Sequence, residues 1–169
     1  MQRIFDPRVT VEQYATGVGI QYPVFDECPI CGARAKLIGH GSYDRNALPS
    51  LSLVFLLAIK RLLCPVCHRT VSLLPWFLLP RYQYSLRLII DALVNGRDGC
   101  RQLVQHWRRH FLRNVNAVLS FLRDLGYCAS LPRAPDEKAI RLLRTIENMG
   151  PTIFSVLYHK RFRRSFMAP

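Results

Sequence analysis

Two short hooks in this 169-residue chain have the spacing for metal chemistry: C-P-I-C at Cys28–Cys31 and C-P-V-C at Cys64–Cys67. Each sets two thiols three positions apart on a tight turn, so both sulfurs can aim at one ion. Gly32 follows the first hook and accepts the positive φ that such a turn needs. Zinc takes four thiolates tetrahedrally at about 2.3 Å. The pattern therefore predicts Zn2+ held by Cys28, Cys31, Cys64 and Cys67, with iron as the alternative for the same four sulfurs. A redox hook would explain one pair and not two. Residues 32–63 separate the hooks, a longer gap than the roughly 15–20 residues usual in a ribbon, which predicts a long hairpin or an extra strand between them. A four-cysteine site leaves no open position for water, so the metal is expected to be structural. Cys100 and Cys128 have no second hook and are expected to be small buried residues. His68 directly follows Cys67, but that cysteine completes the pair. His68 and His40 are therefore not counted as ligands.

The charge is the next signal. Lys and Arg total 24 against 11 Asp and Glu, giving a net charge of +13 and a pI near 10.1. A balance this basic is the electrostatic footprint of a nucleic-acid binder, with anionic lipid or the ribosome as competing partners. The longest pure apolar run, Leu53–Ile59, is too short for a membrane helix, which needs about twenty residues. The stretch from Leu73 to Pro80 is short as well and carries Pro75 and Pro80. The start lacks the apolar region of an export signal. The expected home is a reducing cytoplasm, where cysteines serve metals more often than disulfides.

Elements must position these groups. Residues 1–27 read as an N-terminal arm. Residues 28–80 read as a zinc ribbon with an apolar docking flank, in which Leu51–Ile59 is a strand buried on both faces or a helix. Trp76 and Phe77 are the expected anchors onto the helices that follow. Residues 81–131 read as a helical domain. Leu86, Ile89, Ile90, Leu93 and Val94 share one face, with Ser85 as cap and Gly96 as stop. A short helix follows, with Asp98 as its cap and Leu103, Val104 and Trp107 inward. A turn around Arg108–Leu112 then leads to a third helix ending at Gly126. Three such helices fit a helix-turn-helix unit. The outward face of the third would carry Arg113, Asn114, Asn116, Ala117, Ser120 and Arg123, side chains able to meet base edges. The competing reading is a solvated polar face on an ordinary bundle helix. Residues 132–169 read as a further helix and a basic tail. There Lys160, Arg161, Arg163 and Arg164 alternate with Tyr158, Phe162 and Phe166, a pattern suited to phosphate contact, with a solvated or disordered tail as the competing reading.

With these residues in view, a resemblance can be stated. "CPICG", "GHGSYDR" and "KRLLCPVCHRTVSLLP", followed by a helical unit, resemble the N-terminal part of bacterial insertion-sequence transposases. They resemble still more the small zinc-ribbon proteins found with mobile elements. The resemblance covers roughly Cys28 to Gly126. It implies zinc at the four hook cysteines and DNA contact by the helical unit. Transposases of that kind also carry spaced acids that hold magnesium. Here Asp91, Asp98, Asp124 and Glu147 are scattered, and no nucleophile or phosphate-cradling motif occurs, so catalysis is not expected.

The expected fold is α+β: a four-cysteine zinc ribbon followed by a helix-turn-helix-like domain. The expected function is zinc-stabilised binding of double-stranded DNA, as an accessory or targeting factor of a mobile element or as a transcriptional regulator. No membrane and no small-molecule substrate is expected. The alternative is an adaptor that docks a transposase, a recombinase or another large protein through Trp76 and Phe77. RNA or ribosome binding is a third option, with Tyr43 as its one stacking candidate.

Overall fold

A computed structural model describes residues 1–96 and 100–168, so the cap expected at Asp98 lies outside the described residues. The fold is α+β, a four-stranded sheet with five helices. In chain order the elements are β1 (Gln2–Phe5), α1 (Val11–Thr16), β2 (Ile38–Ser50), β3 (Leu53–Leu63), β4 (Thr70–Pro75), α2 (Leu86–Asn95), α3 (Arg101–Asp124), α4 (Pro135–Met149) and α5 (Pro151–Phe162).

The sheet order is β1-β4-β3-β2. β1 runs parallel to β4, with Gln2 opposite Ser72 and Phe5 opposite Pro75. The N-terminal segment therefore supplies a strand as well as an arm. β2 and β3 form the long hairpin that the gap between the hooks predicts. The hairpin is only half buried. Leu57 and Ile59 point inward, while Leu53, Val54 and Leu56 are exposed, so the run from Leu51 to Ile59 is neither a helix nor a strand covered on both faces.

Two apolar clusters fill the molecule. One lies on the sheet and includes Ile4, Phe5, Leu57, Ile59, Val71, Leu73, Leu74 and Phe77. The other lies among the helices and includes Leu79, Leu86, Trp107, Phe111, Leu122, Phe154 and Tyr158. Half-buried Trp76 packs against both, and its neighbours from Leu73 in one cluster to Leu79 in the other are buried. The apolar flank thus ties ribbon to helices, with Phe77 buried on the sheet side.

Helix α2 begins and ends as its sequence predicts. The Ser85 hydroxyl accepts a bond from the Leu88 N–H at 3.2 Å, and Gly96 stops the helix with φ +67°. The expected turn at Arg108–Leu112 is absent. α3 runs unbroken for 24 residues. Trp107, Phe111, Val115, Val118 and Leu122 continue one buried stripe at helical spacing, and no Gly or Pro interrupts residues 101–124. The segment expected as a separate third helix is therefore the C-terminal half of α3.

The tail is ordered into the core. Phe166 and Met167 are buried, which contributes roughly 1.5–3 kcal/mol apiece by burial of apolar surface. Tyr158 and Phe166 are buried and Phe162 packs against the helical core, so these aromatic side chains are structural. No helix among the described residues is long and apolar enough to cross a membrane.

Candidate metal centre and basic groove

The four hook cysteines meet. Their Sγ atoms all lie within 4.8 Å of one another, with Cys28–Cys67 and Cys31–Cys64 both at 3.9 Å. A tetrahedron of sulfurs about 2.3 Å from a central ion has edges of about 3.8 Å. The donor set and its spacing therefore fit a metal ion.

Both knuckles are built alike. In the first, the Gly32 N–H donates to the Cys28 carbonyl at 2.8 Å and Gly32 takes φ +73°. In the second, the His68 N–H donates to the Cys64 carbonyl at 3.0 Å and His68 takes φ +55°. His68 thus occupies the position that glycine fills in the first knuckle. It is exposed and lies outside the sulfur cluster, as does the exposed His40. The Cys31 backbone hydrogen bond, helped by that of Ile30, holds the Cys28 thiol down at about 6 against the effect of burial. At Cys67 the Arg69 backbone hydrogen bond acts downward. Burial and the neighbouring thiols outweigh it and push the group up to about 11. Crowded thiols of this kind share few protons easily, and a cation relieves the strain of deprotonating them together. Cys100 and Cys128, expected inside, are both exposed and apart from the site.

A groove leads away from the second knuckle. Three neighbouring concavities share lining residues. The first is lined by Met1, Ile30, His68, Arg69 and Thr70. The second shares Met1 and adds Gln2, Arg81, Arg163 and Arg164. The third shares Gln2 and Arg81 and opens into a cavity of about 820 Å³ beside α3. Asp44 is the one acid among the described residues that line them. The ion pairs among the described residues are Arg8–Asp6 and Arg108–Asp136, so Arg69, Arg81, Arg163 and Arg164 have no carboxylate partner there. Burial and the adjacent Arg163 guanidinium both lower the pKa of Arg3, which records the positive charge crowded at this place. The Arg163 side chain also donates to the Pro29 carbonyl of the first knuckle at 3.5 Å, tying the tail to the metal site.

The residues expected to read DNA divide. Arg163 and Arg164 line the groove, Lys160 lines a further concavity under α5 that shares His159 with it, and Arg161 is exposed and lines neither. On α3, Arg113, Ser120 and Arg123 are exposed, and Ala117 is half-buried. Asn116 accepts a bond from Lys138 Nζ of α4 at 3.1 Å. Asn114 does not face outward. It is buried, and its amide donates to the carbonyls of His110 and Ala168 at 2.9 and 2.7 Å. Arg69, Arg81, Arg45, Tyr84, His106 and His110 are groove residues that the sequence reading passed over. Two signals pointed to them: aromatic residues alternating with polar ones in "RYQYS", and the i, i+4 histidines of "HWRRH".

Residues 28–106 match the family described as a domain of unknown function, DUF6431. The match spans both knuckles, the hairpin, the apolar flank, α2 and the start of α3. Neither a curated protein nor a solved structure gives a significant match to the chain.

Proposed function

We propose that this protein binds DNA through the basic groove, with zinc at Cys28, Cys31, Cys64 and Cys67 bracing the wall from which the groove starts. The observation that carries the reading is the set of carboxylate-free arginines, Arg69, Arg81, Arg163 and Arg164, lining three neighbouring concavities that share Met1, Gln2 and Arg81. Unpaired guanidinium groups suit phosphate oxygens and release counterions when they meet them. The net charge of +13 adds long-range attraction. Such contacts grip the backbone without reading sequence, and the exposed Arg113, Ser120 and Arg123 of α3 offer a second surface for the duplex. The role we assign is an accessory or targeting factor of a mobile element, or a regulator of transcription. The test is fluorescence anisotropy with labelled duplex DNA, RNA and heparin as competitors. DNA should compete best. Equal displacement by heparin, or tighter binding of RNA, would overturn the reading.

One observation favours an adaptor instead. Leu51, Leu53, Val54 and Leu56 are all exposed at the end of the β2–β3 hairpin. A cluster of that kind is a protein-contact surface more often than chance exposure. Phe77 is buried and Trp76 is half-buried between the two clusters, so the exposed hairpin leucines are the better docking candidates. Changing Leu53 and Leu56 to Ser tests this reading. Loss of recombinase or transposase capture with intact DNA binding would support it.

A further inference from the structure

The cavity at the end of the groove is shaped for more than phosphate. On one side stands β2, with Tyr43, Asp44, Arg45 and Asn46. On the other stand Leu103, His106, Trp107 and His110 of α3, and the segment Arg81–Tyr84 forms the floor between them. Aromatic faces dominate. Tyr82 lies 6.4 Å from the His106 ring and 6.2 Å from His110. The two histidine rings are 4.3 Å apart. Tyr84 meets Trp107 edge-on at 5.1 Å. Tyr43 and Tyr84 are half-buried and His106 is exposed, so ring surface remains open to a ligand.

The strand side adds hydrogen-bonding groups. β2 is an edge strand that pairs with β3 alone within the sheet. Leu48 turns its backbone away from β3. Its N–H donates to the Gln83 carbonyl, and its carbonyl accepts from Ser85, both at 2.8 Å. Asp44 and Asn46, both exposed, add polar side chains to the cavity wall. Arg45 holds this gap at a fixed width by donating to the carbonyls of Leu79 and Tyr82 at 2.7 and 2.6 Å.

We infer that this cavity takes the base of an unpaired nucleotide in a DNA strand whose phosphates lie along the groove. This inference rests on the DNA-binding reading above and names what one site of it recognises. The chemistry matches part by part. A base has a π-face for Tyr43, Tyr84 and His106, and a donor–acceptor edge for the side chains of Asp44 and Asn46. Its phosphodiester is a singly charged neighbour for Arg81, which lines both the cavity and the groove. A cavity of about 820 Å³ is large enough for one nucleotide unit. A base stacked inside a duplex hides its faces and its Watson–Crick edge, so the site would favour a single-stranded flank, gap or extruded base.

The test uses the full chain and an oligonucleotide duplex with a short single-stranded gap containing 2-aminopurine, against the fully paired duplex. The gapped DNA should bind about tenfold tighter, with 2-aminopurine emission quenched on binding. Tyr43→Ala and His106→Ala should each remove that preference and restore emission, and Tyr43→Phe should keep both. His106 is exposed, so its variant does not threaten the fold. If both alanine variants bind gapped DNA as the wild type does, while Arg163→Ala weakens gapped and paired DNA alike, the base site is wrong and the groove stands. If a free nucleoside monophosphate competes as well as the gapped strand, the site belongs to a small nucleotide and the inference fails. If the wild type binds no DNA, the underlying reading fails with it.

Discussion

Cys28 and Cys67 stand 39 positions apart, and their Sγ atoms lie 3.9 Å from each other. Four thiolates this close repel one another, and a bound cation would offset that repulsion. Cys28 and Cys64 are fully buried within the sheet cluster, so the site is part of the core it supports.

Metal content is the first expectation. Purified protein should carry one zinc ion per chain. Cys64→Ser should lose it and lower the melting temperature sharply, because a zinc–thiolate site can supply on the order of 10 kcal/mol of apparent binding energy. Cys100→Ser and Cys128→Ser should leave metal content unchanged. Elemental analysis with thermal unfolding decides the matter. A Cys64→Ser chain that is metal-free yet as stable as the wild type would refute the site.

The two knuckles predict a stabilising change. His68 holds the left-handed conformation that Gly32 holds in the first knuckle. A side chain pays a steric penalty there that glycine avoids. His68→Gly should therefore raise stability by about 0.5–1 kcal/mol in denaturant unfolding of the metal-bound protein. A loss of stability or of metal would show that the imidazole has a role at the site.

His159 predicts an acid sensitivity. Its Nε2 donates to the Gln2 carbonyl at 3.1 Å, so Nδ1 is the basic nitrogen, and that atom is buried without a partner. Burial, with Arg3 nearby, lowers its pKa. The unfolded chain then binds the proton more readily than the folded one, so stability falls as pH drops below the ordinary value of about 6.5 toward the depressed one. His110 is lowered in the same direction, by burial and by His106, Arg113 and Arg109. In His159→Gln the amide can still donate to Gln2, and the loss of stability as pH falls below about 6.5 should shrink. An unchanged pH profile would place the sensitivity elsewhere.

Asn114 separates two roles for α3. As the buried clip between His110 and Ala168, it should cost about 1–3 kcal/mol on mutation to Ala and loosen the C-terminal segment. Selection of bound DNA sequences should give the same preference for Asn114→Ala as for the wild type. A changed preference with unchanged stability would return this residue to the DNA surface.

The parts of the fold written in local signals were legible in the sequence. The hooks are contiguous motifs, and α2 has its serine cap and glycine stop within a dozen residues. The turn expected at Arg108–Leu112 has no Gly or Pro to make it. Charge does not end a helix, and the buried stripe from Trp107 to Leu122 shows why α3 continues. The polar Asn114 read as outward because its two acceptors, His110 O and Ala168 O, are set by tertiary contact. β1 is a four-residue strand whose partner lies 70 positions away, beyond any periodicity. The groove was hidden for the same reason: its walls come from the second knuckle, the flank, the strand edge, α3 and the tail, and only the folded chain brings them together.

The claim that this groove holds a nucleic-acid backbone is tested most directly by the salt dependence of duplex binding. The logarithm of the binding constant, plotted against the logarithm of salt concentration, gives the number of phosphates neutralised. Arg163→Ala with Arg164→Ala should make that slope shallower by about 2, whereas Arg144→Ala on the exposed side of α4 should leave it as in the wild type. A slope that the groove variants do not change would contradict the account.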